Sequence, residues 1–296
     1  MNTNKHDIIT FGRSSIDLYS QNIGAPFNLI KGFDAFVGGS PLNIAVGCCR
    51  LGLDASLLSA VGEDKVGEFL INFLTEEGVN VTNVPTKKGT RTSAVILGIE
   101  PPDKFPLVFY RDNASDSQVD IDDVDRANIP DYKVLLINGT AMNIEPTRSA
   151  TFYATEVALK NNVKVVLDLD FRADQWHDYR AFGVTVRAIL PQVKIAIGTE
   201  EEILAATIEN VSQVEIKDQQ MSAPEIKGDI DLAIKKILTS GVETLIVKRG
   251  EKGASIHSRD GTVTLVPGFP VEILNVLGAG DAFASGFLYG IINDWN

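Results

Sequence analysis

Residues 275–287 read Asn275-Val276-Leu277-Gly278-Ala279-Gly280-Asp281-Ala282-Phe283-Ala284-Ser285-Gly286-Phe287. Two glycines lead here into a segment whose apolar residues, Phe283, Phe287, Leu288 and Ile291, recur at helical spacing. The first amide groups of a helix have no intrahelical partner, and the helix dipole adds partial positive charge at that end. The stretch therefore predicts a glycine loop at a helix start, which is a candidate site for an anion such as phosphate.

Asp281 lies inside this loop, and two roles are open to it. An aspartate before a helix commonly caps the helix by accepting hydrogen bonds from its first amides. A carboxylate beside a bound phosphate is repelled unless it has a task, and the obvious task is to take a proton from a hydroxyl group that attacks the phosphate. On this stretch alone, capping is the commoner interpretation, so the rest of the chain must decide.

The composition of the 296 residues is that of an ordinary globular protein, with 44% hydrophobic and 22% charged residues. The formal net charge of −12 argues against nucleic acids and anionic membranes as partners, because both require a basic surface. Cys48 and Cys49 are adjacent and the three histidines are scattered, so neither a disulfide framework nor a histidine metal site is expected. The sequence shows no signal-peptide pattern and no apolar stretch of about 20 residues, so we expect a cytoplasmic protein without membrane contact.

The chain alternates short apolar runs with helical patterns, which predicts a mainly parallel sheet covered by helices on both faces. The predicted strands are 7–11, 56–61, 134–137, 164–169, 195–198 and 244–248. The predicted helices are 65–77, 146–160, 200–206, 230–239 and a segment that starts after Gly39 and ends near Leu51. Residues 210–228 are polar and weakly patterned, which indicates a surface insertion.

Two regions, residues 13–37 and 81–111, carry β-like runs without intervening helices. We interpret them as a small β lid that closes over a substrate and excludes water. The remaining segments, 1–12, 38–80 and 112–296, would then form the α/β core. Because such a lid needs an apolar face, it is also a candidate contact for a homodimer.

Polar residues near the start of the chain occupy positions suited to ligand binding. Asp17 follows the first predicted strand, where it either closes an Asx turn or binds hydroxyl groups. Gly38 and Gly39 allow close approach of a ligand to the backbone, and Asn43 falls in the first turn of the helix that follows, where solvation is its alternative role. The phosphate-binding motifs of P-loop enzymes, Rossmann dehydrogenases and protein kinases are absent from the sequence.

Two motifs together resemble the ribokinase-like carbohydrate kinases, also called the PfkB family. The family's N-terminal signature is similar to Gly38-Gly39-x-x-x-Asn43-x-Ala45, Leu51-Gly52 and Gly62-Glu63-Asp64-x-x-Gly67. Its C-terminal signature is similar to Gly278-Ala279-Gly280-Asp281-Ala282-Phe283. The resemblance covers residues 7–289 and implies an α/β fold, a ribokinase-like three-layer sandwich with a mainly parallel central sheet and a small β-sheet lid. It also favours the catalytic role of Asp281 over capping.

The resemblance implies a role for each matching residue. The residues that would hold the sugar are Asp17, Gly38, Gly39 and Asn43. The transferring phosphoryl group would lie against Gly278, Ala279 and Gly280, with Asp281 as the general base. The residues that would flank the nucleotide are Thr199, Glu202, Lys248, Gly250 and Gly253, and Glu202 would also organise magnesium through water. Thr199 replaces the family's asparagine and Leu277 stands where many relatives carry threonine, so the details of the metal and phosphate contacts stay open.

Residues 109–114 and 168–176 resemble segments of kinases that act on keto-deoxy sugar acids. A guanidinium group binds a carboxylate through two hydrogen bonds, so Arg111 from the lid and Arg172 from the core are candidates to hold the acid, with Tyr110 beside Arg111. Surface ion pairing is the alternative role for both arginines. Residues 12–18, 37–41 and 197–199 together are most similar to family members that act on 5-dehydro-2-deoxy-D-gluconate, a compound of inositol catabolism, and this resemblance favours that substrate. 2-Dehydro-3-deoxygluconate, fructose, ribose-like sugars and nucleosides are alternatives.

The resemblance predicts ATP-dependent phosphorylation of a primary hydroxyl group, with Mg²⁺ required and a monovalent cation such as K⁺ as a further candidate. Arg172 would help to stabilise the developing charge, and Asp281, Asp17, Asn43 and Arg172 should converge on one cleft. An alternative of another class is a non-catalytic sugar-binding or regulatory protein with the same fold. The sequence ends at Asn296, whereas relatives continue for a few dozen residues that help to form the adenine site. We therefore expect weakened ATP affinity, which calorimetry can test.

Overall fold

The computed structural model describes residues 5–100, 105–215, 225–272 and 276–295. Within these ranges the strands are β1 (His6–Phe11), β2 (Ser15–Ser20), β3 (Phe33–Gly38), β4 (Ala55–Leu58), β5 (Val61–Gly62), β6 (Thr86–Lys87), β7 (Ser93–Leu97), β8 (Leu107–Tyr110), β9 (Tyr132–Asn138), β10 (Lys164–Asp168), β11 (Ile195–Thr199), β12 (Val214–Glu215), β13 (Glu225–Ile226), β14 (Thr244–Lys248), β15 (Ala254–Ser258) and β16 (Val263–Val266). The helices are α1 (Ser40–Arg50), α2 (Lys65–Glu76), α3 (Ile121–Ala127), α4 (Thr147–Lys160), α5 (Tyr179–Ile189), α6 (Glu200–Ala206), α7 (Ile230–Thr239) and α8 (Ala279–Ile292). Asn275 of the glycine-loop motif and residues 216–224 of the predicted insertion lie outside the described residues.

The central sheet has the strand order β16-β15-β14-β11-β10-β9-β1-β4 in the described part of the chain. The strands from β14 to β4 are parallel to their neighbours, whereas β15 and β16 add an antiparallel edge. Continuous runs such as Ile8, Ile9 and Leu135–Ile137 are fully buried, because helices cover both faces of the sheet. The mainly parallel sheet expected from the sequence is therefore confirmed.

Strand alternation distributes the apolar side chains between the two faces of this sheet. Ile9 and Leu135 belong to the cluster that packs against α3 to α7. Ile8 and Leu136 belong to the cluster that packs against α1 and α8. The chain therefore forms a three-layer sandwich, as predicted, with the glycine-loop helix α8 beside α1 on one face.

A second, smaller sheet has the order β3-β2-β7-β8, and we call these four strands the small sheet. Its pairs β2/β3 and β7/β8 are antiparallel, and β2/β7 is parallel. The small sheet is attached where β1 ends and α1 begins, because β2 starts at Ser15 and β3 ends at Gly38. Val84, from the segment between α2 and the small sheet, packs into a core cluster beside α2. The division of the chain into lid and core remains a prediction.

Several elements were not predicted or differ from the prediction. The predicted strand 56–61 is interrupted after Leu58, and β5 forms a separate pair with β6. Helix α3 is short and strongly acidic, and the edge strand β16 is apolar but exposed, so neither shows a clear amphipathic pattern. Helix α5 also has no counterpart in the prediction. Among the residues described, none of the helices combines the length and the hydrophobicity needed to span a bilayer.

Candidate active site

The carboxyl ends of the parallel strands and the small sheet enclose a cleft of about 760 Å³. Ligands of open α/β sheets bind at this edge, because the loops after the strands meet there. The residues that line the cleft include Asp17, Asn43, Arg172 and Asp281. The predicted convergence of these four residues is therefore confirmed.

The glycine loop forms the start of α8. Gly278 is the N-cap and has a left-handed backbone with φ of 77°, which glycine adopts without steric cost. Asp281 is the third residue of the helix, not its cap, so the capping interpretation is wrong. The side-chain amide of Asn43, in the first turn of α1, donates a hydrogen bond of 2.7 Å to Asp281 Oδ2. Two helix starts thus meet at one carboxylate.

The Asp281 carboxyl group has a raised pKa. Burial is the main cause, and the charge of Asp170 adds to it. The hydrogen bond from Asn43 and the charge of Arg172 act in the opposite direction but do not outweigh burial. A carboxylate with a raised pKa accepts a proton more readily than an ordinary surface aspartate.

The amides at the start of α8 differ in their availability. The amide of Ala279 donates to the carbonyl of Val276 at 3.2 Å, so it is already used. Gly280 and Asp281 occupy the next two positions, where a helix supplies no carbonyl partner. Lys248 lies against this loop, since a Cβ atom added to Gly280 would be 3.5 Å from Lys248 Nζ. A bound anion would therefore meet amide dipoles and an ammonium group.

Lys248 is the centre of a buried charge cluster. Its Nζ lies 3.4 Å from Asp168 Oδ1 and 3.7 Å from Glu202 Oε2. Burial lowers the pKa of Lys248, but attraction by Asp168 and Glu202 outweighs it and leaves the pKa raised. Burial, with repulsion from Glu202 and Asp170, raises the pKa of Asp168 to about 7 despite the charge of Lys248.

Asp17 lies at the other end of the cleft, on β2 of the small sheet. Ser15 donates a hydrogen bond of 2.7 Å to its Oδ1 atom, and burial raises the pKa of Asp17 although Arg13 opposes this. A Cβ atom at Gly38 would overlap the Asp17 carboxylate, so any larger residue there would displace Asp17 from this position. Gly39 lines the cleft as the N-cap of α1, and its φ of 106° is a backbone conformation that favours glycine.

Arg172 is held from below by a buried polar network. Its Nη2 atom lies 3.1 Å from Asp170 Oδ1. Asp170 has a positive φ of 33° and accepts hydrogen bonds of 2.9 Å from Asn138 Nδ2 and 3.1 Å from Thr140 Oγ1. The charge of Asp170 is the main cause of the raised pKa of Arg172. Arg172 therefore remains charged at the cleft surface.

Two of the predicted substrate contacts are not placed as expected. The Tyr110 side chain is 59% exposed and, in the described structure, does not line the cleft. Strand alternation directs its neighbour Phe109 into the cleft instead. Arg111 does line the cleft, but its guanidinium group donates to Asp116 Oδ2 at 2.9 and 2.5 Å and to Gln175 Oε1 at 2.8 Å. Nitrogens of the Arg111 guanidinium group are therefore already hydrogen-bonded to the buried carboxylate of Asp116.

The predicted nucleotide residues lie at the far side of the glycine loop. A second cavity of about 240 Å³ is lined by Thr199, Glu200, Glu201, Lys248, Arg249, Gly250 and Lys252. Thr199 and Glu202 form a capping box at the start of α6, with hydrogen bonds of 3.2 and 2.8 Å. Threonine can therefore replace the family's asparagine without loss of the helix cap. Gly253 follows Lys252 but is not among the described residues that line this cavity, and it packs against the backbone of Val266, which a Cβ atom there would overlap.

The sequence assigned no individual role to several residues of the cleft and its supporting network, namely Arg13, Tyr19, Phe109, Asn138, Asn143, Asp168, Asp170 and Gln175. Arg13 and Asp168 could have been found, because each stands at or just after the carboxyl end of a predicted parallel strand. Asn143 caps one short 3₁₀ helix and Gln175 ends another, and such short helices carry no such signal.

Comparisons with known proteins agree with this architecture. The model of the pfkB family of carbohydrate kinases matches residues 5–296. A 5-dehydro-2-deoxygluconokinase from Clostridium perfringens is 31% identical, over 99% of this chain and 82% of that protein. A 5-dehydro-2-deoxygluconokinase from Geobacillus kaustophilus is 32% identical, over 98% of this chain and 82% of that protein. The crystal structure of fructokinase with bound ATP from Xylella fastidiosa superposes with a TM-score of 0.83 at 23% identity, over 99% of this chain and 83% of that one.

The family match and the relatives' near-complete coverage of this chain confirm the fold class and the kind of enzyme expected from the two glycine motifs. The chain belongs to the pfkB family of carbohydrate kinases and is a phosphotransferase with an alcohol group as acceptor.

Proposed function

We propose that this protein transfers the γ-phosphoryl group of ATP to the primary hydroxyl group of a sugar acid, with 5-dehydro-2-deoxy-D-gluconate as the first candidate. The observation that carries the proposal is the pair of helix starts at Asp281 and Asn43, which faces a cleft that also holds Asp17. The names of the relatives with about 31% identity support the choice of substrate, and the ATP bound by the fructokinase supports the choice of donor.

Asp281 would act as the general base. Its raised pKa favours acceptance of the hydroxyl proton, and the hydrogen bond from Asn43 fixes the orientation of the carboxylate. Asp17 would accept hydrogen bonds from sugar hydroxyl groups, with Gly38 and Gly39 providing the space. Positioning of the hydroxyl group against Asp281 would then supply much of the rate enhancement.

Charge that develops on the transferring phosphoryl group would be stabilised from three sides. The amides of Gly280 and Asp281 point out of the start of α8. Lys248 lies beside Gly280, and Arg172 reaches the cleft from its support on Asp170. Each of these groups is held by protein contacts before substrate binds, so little reorganisation is needed.

Magnesium fits this site through water and phosphate oxygens. In the described part of the chain, no group of three or more histidine, cysteine or acidic residues is arranged to hold a metal directly. Glu202, whose carboxylate is fixed by the Thr199 amide, would hold the ion through water. This suits Mg²⁺, which commonly takes one or two carboxylates and keeps several waters. When bound, the ion would neutralise negative charge on the phosphates.

The monovalent cation, the dimer contact through the small sheet and the cytoplasmic location stay predictions. The face of the small sheet turned away from Asp17 does expose apolar side chains, including Phe33 and Tyr110, as a dimer contact would require.

The test is a coupled assay of ATP turnover with a panel of keto-deoxy sugar acids, neutral sugars and nucleosides. We expect the highest kcat/KM for 5-dehydro-2-deoxy-D-gluconate. Asp281→Asn should lower kcat by about 10²- to 10⁴-fold while the protein stays folded and still binds sugar. Preference for a neutral sugar would reassign the substrate. Near-normal turnover by Asp281→Asn would sink the assignment of the base, and binding without turnover on the whole panel would favour the non-catalytic alternative.

A further inference from the structure

Among the residues that the structure describes, three arginines line the cleft: Arg13, Arg111 and Arg172. The fork of Arg111 is used by Asp116, with Gln175 on a further nitrogen. Arg172 is paired with Asp170 and serves the phosphate end of the proposed reaction. The proposed reaction assigns no role to Arg13.

The guanidinium group of Arg13 is buried but incompletely satisfied. Arg13 is 8% exposed, and its Nη1 atom donates a hydrogen bond of 2.8 Å to Ser15 Oγ. The nearest Asp17 oxygen is 4.0 Å from Nη1, which is beyond hydrogen-bond distance. The Nε atom is buried without an acceptor among the described residues. A buried donor without a partner is costly, so the Arg13 guanidinium group, which lines the cleft, has hydrogen-bonding capacity that the described residues do not use.

The surroundings of Arg13 restrict how that acceptor can approach. The ring of Phe109 covers one face of the guanidinium group, with 5.2 Å between Cζ and the ring centroid. Stacking on an aromatic ring leaves the edge of the guanidinium plane for hydrogen bonds. A planar carboxylate matches that edge, because its two oxygens can accept in the same plane.

Arg13 also lies at the correct end of the cleft for the acid group of a substrate. Asp281 accepts a hydrogen bond from Asn43 on α1. The start of α1 at Gly39 packs against the backbone of Arg13, because a Cβ atom at Gly39 would collide with the Arg13 carbonyl group. A sugar acid whose primary hydroxyl group lies at Asp281 would thus place its opposite end near Asp17, Arg13 and the small sheet. In an acyclic six-carbon acid that opposite end is the carboxylate.

We propose that Arg13, stacked on Phe109, binds the carboxylate of the substrate and determines the preference for sugar acids over neutral sugars. This inference rests on the proposed function, because it names the group that recognises the acid in the same cleft. It reassigns that role from Arg111, whose hydrogen bonds hold the protein together instead.

The test compares Arg13→Met with the wild-type protein on two substrates, the keto-deoxy sugar acid and its neutral counterpart with a primary alcohol in place of the carboxylate. We expect kcat/KM for the acid to fall by about 10- to 100-fold, mainly through KM, because a hydrogen-bonded charge partner is lost in both ground and transition states. The value for the neutral counterpart should change less than about 2-fold. Arg13→Lys, which keeps the charge but loses the fork, should be intermediate.

The matched control is Arg91→Met, which removes an exposed arginine from the segment that leads into the small sheet and should leave both substrates unaffected. Equal losses for acid and neutral substrate in Arg13→Met would overturn the inference and make Arg13 a structural partner of Asp17. Thermal unfolding measurements would identify a folding defect in Arg13→Met. In that case the ratio of kcat/KM for the acid to kcat/KM for the neutral substrate, measured in Arg13→Lys, tests the inference.

Failure of the inference and failure of the proposed function can be distinguished by calorimetry. Turnover of the acid that does not depend on Arg13 rejects the inference and leaves the kinase function in place. Absence of turnover by the wild-type protein rejects the function, and the affinity for the acid, measured with and without Arg13, then decides the inference alone. The inference is rejected if Arg13→Met binds the acid as tightly as the wild-type protein does. It is also rejected if neither protein binds the acid detectably.

Discussion

The two ends of the cleft are built differently. The phosphate end comes from one contiguous stretch, Gly278 to Asp281, at the start of α8, with Lys248 beneath it. The sugar end combines side chains from separate strands and loops, with Arg13 and Asp17 from the first part of the chain and Phe109 from β8. Backbone amides and a buried ion cluster dominate the first end, whereas side-chain identity dominates the second.

This difference indicates which part of the site is free to change. Anion binding by a helix start depends on backbone geometry, so it needs glycines and a fixed helix but few particular side chains. Recognition of a substrate end depends on individual side chains that can be replaced without altering the core. Substitutions at the phosphate end should therefore mainly lower the stability of the protein, whereas substitutions at the sugar end should mainly change its substrate specificity.

The largest effect is expected for Lys248→Met at the phosphate end. The substitution would leave Asp168 and Glu202 as buried carboxylates without their shared cation. Breaking a buried ion pair from one side typically costs about 3–5 kcal/mol. We expect the free energy of unfolding, measured by urea denaturation at neutral pH, to fall by that amount, together with a loss of activity.

The matched control is Lys235→Met on the exposed face of α7, which should change stability by less than about 0.5 kcal/mol. Equal stability of Lys248→Met and the wild-type protein would contradict the proposed difference between the two ends of the cleft. It would mean that the carboxylates become neutral at no cost and that the phosphate end is not held together by charge.

A smaller effect is expected for Phe109→Ala at the sugar end, compared with its neighbour Tyr110→Ala. Phe109 stacks on Arg13 inside the cleft, whereas Tyr110 is exposed on the other face of β8. A cation–π contact contributes about 0.5–2 kcal/mol, so KM for the sugar acid should rise by about 2- to 30-fold in Phe109→Ala. Steady-state kinetics should show less than about a 2-fold change for Tyr110→Ala. A larger effect of Tyr110→Ala than of Phe109→Ala would instead indicate that Tyr110 contacts the substrate, as expected from the sequence.

The same contrast explains what the sequence could predict. The alternating strands, the glycine loop and the roles suggested for Asp281, Asn43 and Asp17 depend on contiguous motifs or on strand ends, which are visible in a sequence. Tyr110 was expected at the cleft beside Arg111, but side chains alternate along a strand, so its neighbour Phe109 lies there instead. The pairing of Arg111 with Asp116 depends on the fold around β8 and could not be anticipated, since nothing in the local pattern distinguishes it from a substrate contact.

The last prediction concerns the pH dependence of stability and sharpens the description of the phosphate end. The pKa of Asp168 is about 7 in the folded chain, against an ordinary value of 3.8. Between these values the folded state binds a proton that the unfolded state has released. The stabilisation is therefore complete below pH 3.8 and is lost as pH rises through 7.

Asp168→Asn removes this dependence. The stability of the wild-type protein relative to Asp168→Asn should therefore decrease between pH 5 and pH 8, as measured by urea denaturation at each pH. Asp122→Asn, at an exposed position of α3, controls for the general loss of a carboxylate. A relative stability that rises with pH would show that Lys248 holds Asp168 ionised throughout. In that case attraction, not burial, would govern the cluster beneath the glycine loop, and its carboxylates would be permanent anions beside the proposed phosphate position.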